Sequence, residues 1–97
     1  MYDAPVDPNE LIFRVARVTD VKKLAAAIVS GVRDRKRVYL SYVGAAAGQQ
    51  AVKGAIIARG LLAGMGEDIF LLPSFRDVEE DGRMITGQRL EIIVGRP

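Results

Sequence analysis

Ninety-seven residues, 49% hydrophobic and without cysteine or histidine, make one folded domain and exclude disulfides, thiolate metal sites and imidazole chemistry. The charge is nearly balanced, 14 basic against 12 acidic side chains for a net of +2, which argues against the tight grip of a strongly basic chromatin protein. No apolar run nears the roughly 18 to 20 residues of a bilayer span, and Met1-Tyr2-Asp3 lacks the basic start of a signal peptide, so a cytoplasmic protein without a membrane partner is expected.

Residues 1–10 read as a flexible acidic leader, with Pro5 and Pro8 among Asp3, Asp7 and Glu10. Setting those three acids aside leaves 9 of the 12 against 14 basic residues, so the body at 11–97 carries +5. From Leu11 to Val18 apolar residues alternate with a mixed face, as a half-buried strand requires. Thr19 or Asp20 can cap the helix that follows, where Val21, Leu24, Ala25, Ile28 and Val32 recur at helical spacing. That helix should end between Asp34 and Lys36. Val38 to Val43, rich in β-branched and aromatic residues, reads as a buried second strand on which Tyr39 and Tyr42 project to opposite faces.

Tiny residues fill the next junction. Gly44 and Gly48 are candidate structural glycines, able to adopt positive φ, and Ala45 to Ala47 keep bulk away from a helix predicted over about Ala47 to Leu62. Its inward positions are expected at Val52, Ala55, Ile56 and the aliphatic stem of Arg59, with termination permitted by Gly60 and Gly64. Two strands follow, Asp68 to Val78 and Met84 to Val94, joined through Asp81-Gly82, a pair suited to a tight hairpin. Pro73 places the first of them at a sheet edge or a bulge. Phe13, Phe70 and Phe75 are expected in the core. The order βαβαββ predicts an α+β fold, a two-layer α/β sandwich with both helices on one side of a shared sheet.

The segment Gly44-Ala45-Ala46-Ala47-Gly48-Gln49-Gln50-Ala51-Val52-Lys53, closing on Ile57-Ala58-Arg59-Gly60, resembles the signature of the stage V sporulation protein S (SpoVS) family. The likeness continues through Asp68-Ile69, Leu72 to Val78, Asp81-Gly82 and Leu90 to Val94, and so covers roughly residues 11 to 97. Ala46 stands where the family usually has glycine, and Gln49 where it usually has asparagine. The resemblance implies an Alba-like fold, a homodimer or higher homo-oligomer, and a nucleic-acid partner, DNA or RNA, met with weak sequence preference near the two helix starts.

Carried onto this chain, those expectations fall on Arg17, Lys22 and Lys23 around the first helix start, and on Gln49, Gln50 and Lys53 at the second. Arg83 joins them from the hairpin, although Glu79, Glu80 and Asp81 beside the tip would repel a phosphate backbone. Ser30, Ser41 and Ser74 stand in no nucleophile motif, and Gly44 to Gln50 lacks the Gly-Lys-Ser/Thr ending of a P-loop. No catalytic residue, metal or cofactor is therefore expected. A rival reading keeps the fold but uses the small-residue surface around Gly44 to Gln50 to meet a protein partner, and a third makes the N-terminus of the second helix a small-anion sensor.

Overall fold

The computed structural model describes residues 2–3 and 7–95. Two helices, α1 (Val21–Arg33) and α2 (Ala45–Ala63), lie with five strands: β1 (Tyr2–Asp3), β2 (Glu10–Arg14), β3 (Arg37–Tyr42), β4 (Asp68–Glu80) and β5 (Arg83–Gly95). The sheet order is β1-β2-β3-β5-β4. Only β2 and β3 pair in parallel, Leu11 opposite Val38 and Phe13 opposite Leu40, and every other neighbour is antiparallel. From β2 onward the order is βαβαββ, the expected two-layer sandwich.

Alternation along the strands decides which face the helices cover. Phe13, Val38, Leu40, Tyr42, Leu90, Ile92 and Ile69 pack into one cluster with Leu24, Ile28 and Val32 of α1 and with Ala51, Ala55, Ala58 and Leu62 of α2. Tyr39, on the opposite face, lies under the guanidinium groups of Arg37 and Arg89, 5.6 and 4.9 Å from the ring centre. The two tyrosines of β3 thus face opposite ways.

Of the expected leader, residues 1 and 4–6 lie outside the described residues. Tyr2 and Asp3 pair with Phe13 and Ile12 at the sheet edge. Further along, Arg37 donates its backbone N–H to the Asn9 carbonyl (2.8 Å), and Lys36 Nζ donates to that of Pro8 (2.8 Å). The first full strand ends at Arg14, four residues earlier than alternation suggested, because Thr19 Oγ1 accepts the Ala16 N–H (2.8 Å) and closes a turn.

Helix α1 carries its apolar stripe as predicted, with Leu24, Ala25, Ile28 and Val32 buried. It ends in a Schellman arrangement: the Lys36 N–H reaches the Gly31 carbonyl (3.0 Å), and Arg35 holds the left-handed position at φ 60°. Helix α2 departs from prediction in the face it buries. Its inward stripe is Ala47, Ala51, Gly54, Ala55, Ala58 and Leu62, one residue out of step with the expected Val52, Ile56 and Arg59, which are exposed. The reason is close approach to α1: a Cβ on Gly54 would lie 2.6 Å from Leu24 Cδ2, so only small residues fit along the seam. The helix runs through Gly60 to Ala63, with the expected Gly64 as its C-cap, and Gly66 at φ 77° follows in the left-handed position, with the Glu67 N–H on the Leu62 carbonyl (3.1 Å).

The hairpin turns on Asp81 and Gly82, both at positive φ (53° and 75°). Only residues 88–92 of β5 pair with β3, so the strands beyond, 76–80 and 83–87, pair with each other alone. Pro73 lies on the edge strand as expected, opposite Leu90. Counting back from a two-residue turn makes this a non-hydrogen-bonded pair, so its missing N–H interrupts the outer edge and not the ladder to β5. Phe70 and Phe75 are corrections: they are 57% and 77% exposed, Phe70 because it alternates with buried Ile69 onto the sheet face the helices do not cover, and Phe75 because it lies on the edge strand in the half that no helix covers.

Arg59 is tied to the start of β4 by two bonds, Nε to Asp68 Oδ1 (2.7 Å) and Nη2 to Oδ2 (3.3 Å). The Asp68 carboxyl is held below the usual carboxylate range, first by Arg59 and then by the Ile69 N–H. A group whose folded pKa is depressed stabilises the fold above its unfolded value and stops doing so as pH falls through the folded value. Asp68→Asn should therefore reduce stability at neutral pH yet flatten its decline below about pH 4, as read by denaturant melts across that range.

Candidate nucleic-acid interface

Both helix starts lie at the same end of the sheet, where parallel β2 and β3 release the chain, but they are finished differently. Asp20 caps α1, its Oδ1 accepting from the Lys22 N–H (2.9 Å) and the Lys23 N–H (3.1 Å). The Lys23 N–H is the chief reason the Asp20 carboxyl lies below the usual range. The positive end of α1 is thus already answered by a carboxylate, and what it offers a polyanion is the exposed side chains of Lys22 and Lys23.

Helix α2 begins two residues earlier than predicted. Gly44 is its N-cap at φ 88° and ψ 161°, and no side chain caps the helix. That combination of positive φ with extended ψ is essentially confined to glycine, so its freedom is required here. Gly48 acts otherwise: a Cβ there would lie 2.8 Å from Tyr42 Cε2, so it is small to let the helix settle on the β3 tyrosine.

Gln50 Nε2 donates to the Thr19 carbonyl (2.9 Å), binding the second turn of α2 to the loop before α1. Arg17, Lys22 and Lys23 lie within four residues of Thr19 in the chain, Gln49 and Lys53 within three of Gln50, and all five of these side chains are exposed. Gln50 itself is half-buried and serves as the brace. Arg83 stands apart, at the hairpin tip opposite Glu80.

Sequence reasoning missed Arg14. It ends β2 and meets the returning hairpin, its Nη2 3.9 Å from Glu80 Oε1, over a crevice of about 480 Å³ that Arg17 also lines. Read along β2 it was one polar residue on a mixed face; the signal lay in its place, a cation at the carboxyl end of a strand that feeds a helix.

Among the described residues no helix is long and apolar enough to cross a membrane. The sequence model of the stage V sporulation protein S family matches residues 11–95, from the second residue of β2 to the last of β5. The glycines, the Gln50 brace and the Arg59–Asp68 pair all lie within that span. The chain belongs to the stage V sporulation protein S family, and that membership implies a role in sporulation.

Proposed function

We propose that this chain is a non-catalytic regulator in sporulation that binds nucleic acid as an Alba-like dimer. The observation that carries the reading is the cluster of Arg17, Lys22, Lys23 and Lys53, joined across two helices by the Gln50–Thr19 bond. Such a cluster meets phosphates without reading bases, and the moderate charge of the body suits weak, salt-sensitive binding. A dimer has material to use: Val52 (37%) and Ile56 (63%) on α2 and Phe75 (77%) on β4 are exposed apolar side chains.

Replacing Lys22, Lys23 and Lys53 together by alanine is expected to weaken binding to duplex DNA about tenfold on every sequence, and to make the salt slope shallower by about 2 to 3. Fluorescence titrations at two salt concentrations read both quantities. An unchanged slope in the folded triple variant removes this surface from the reading. Should the parent chain bind no polyanion at low salt, the exposed Val52, Ile56 and Phe75 favour the second reading, a module that meets a protein partner.

A further inference from the structure

Strand β4 is the outer edge of the sheet along its whole length, from Asp68 to Glu80. An edge strand presents unpaired N–H and C=O groups, and proteins ordinarily guard it with charge, above all lysine. Here residues 69–75, Ile69-Phe70-Leu71-Leu72-Pro73-Ser74-Phe75, carry no charge, and Phe70, Leu72 and Phe75 are 57%, 54% and 77% exposed. Pro73 is the only guard in this run, and it withholds a single N–H. By the alternation that turns Pro73 outward, Ile69, Leu71 and Phe75 also turn their backbone groups away from β5. The Val15 N–H on the Ser41 carbonyl fixes the same alternation from the far side of the sheet, since Ser41 pairs with Arg89 and Arg89 with Ser74.

The first charges on either side of this run have opposite signs. Asp68 precedes it and Arg76 follows it, each four residues from Leu72. A second β4 laid antiparallel, with Leu72 opposite its own copy, therefore sets Asp68 against the partner's Arg76 and Arg76 against the partner's Asp68. Among the described residues Arg76 is exposed and makes no ion pair within the chain. Other centres are worse: at Ser74 Asp68 would oppose Glu80, at Arg76 the arginine would oppose itself, and at Val78 Asp77 would oppose Glu79. In the Leu72 register Ile69 and the partner's Phe75 exchange both backbone bonds, while Leu71 donates to the partner's Pro73 and receives nothing back. On the helix-free face the exposed Phe70 and Leu72 of two protomers join, and on the other face Phe75 reaches the partner's Ile69, beside the hollow lined by Ile56, Arg59 and Gly60.

We propose that the outer edge of β4 binds a second copy of this chain, β4 pairing antiparallel with the partner's β4 about a two-fold axis at Leu72, so that two sheets become one. The occupant is a copy and not an unrelated strand, because the complement to each flanking charge stands on β4 itself. The inference rests on the dimeric reading above and names the surface and the register that the dimer uses.

The chain has no cysteine, so a single introduced cysteine reports the register without interference. At the two-fold axis Leu72 and its copy form a non-hydrogen-bonded pair with Cα atoms about 4.5 Å apart, within disulfide reach. Leu72→Cys is therefore expected to cross-link into a dimer on mild oxidation with diamide, as a non-reducing gel would show. Ser74→Cys is the control: its copy lies four residues further along the strand, about 13 Å away, and it should stay unlinked. Phe75→Pro removes an outward N–H and leaves the ladder to β5 whole, so it should convert the dimer to a folded monomer, read by light scattering and circular dichroism. Arg76→Glu sets like charges opposite each other at both ends of the pairing and should weaken association about tenfold. A dimer that persists in folded Phe75→Pro, that cross-links through Ser74→Cys and not Leu72→Cys, or that is as tight in Arg76→Glu as in the parent overturns the β4 pairing and leaves dimerisation by another face standing. A parent chain that stays monomeric at high micromolar concentration overturns both.

Discussion

Gly54→Val is expected to lower the stability of the domain by about 3 kcal/mol, the upper part of the range for overpacking a filled core. The new Cβ would meet Leu24 at 2.6 Å (Cδ2), 2.9 Å (Cγ) and 3.3 Å (Cβ), and Leu24 is fully buried with nowhere to move. Gly60→Ala, six residues along the same helix, is the control. Nothing lies within 4 Å of its Cβ, so the alanine should stabilise α2 by about 0.5–1 kcal/mol through backbone entropy. Urea melts of the two variants should move in opposite directions. If Gly54→Val melts with the parent, α1 and α2 do not pack as described.

Gly44→Val should cost about 2–3 kcal/mol for a different reason, since valine must hold φ 88° and ψ 161°, a conformation almost confined to glycine. There is space for its side chain, nothing lying within 4 Å, so the penalty is one of backbone strain alone. Gly48→Val reverses the case: its backbone is helical, and the clash is with the Tyr42 ring at 2.8 Å. The companion change Tyr42→Leu should therefore rescue Gly48→Val in part and leave Gly44→Val untouched, as a double-mutant cycle in thermal melts would show. Lys53→Ala, on an exposed side chain, should leave stability almost unchanged.

The architecture was legible because its signals are local. The stripe of α1, the Asp20 cap, the Asp81-Gly82 turn and the edge proline each depend on neighbours a few residues away. The inward face of α2 was not, because hydrophobicity favours Val52 and Ile56 while geometry favours Ala51 and Gly54; only the distance to α1 decides between them. Phe70 and Phe75 were misplaced for a related reason, since nothing along β4 states which of its faces the helices cover or where that cover stops. At the candidate site, the residue types around both helix starts were visible, but two particulars were not. That Gln50 is bound to Thr19, and that Arg14 looks across at Glu80, both depend on contacts spanning many residues of chain.

The hairpin has one more consequence, and it concerns the order in which the chain assembles. Strands β4 and β5 close around two residues, the smallest loop-closure entropy any pairing in this sheet requires, whereas β2 can meet β3 only once the whole of α1 has been brought round. The hairpin pairing is therefore expected to form before the parallel pair, with β5 as the strand on which β3 docks, an order that φ values at Val78 and Leu40 would check. The segment that reaches furthest from the body is thus the one that depends least on the body to form.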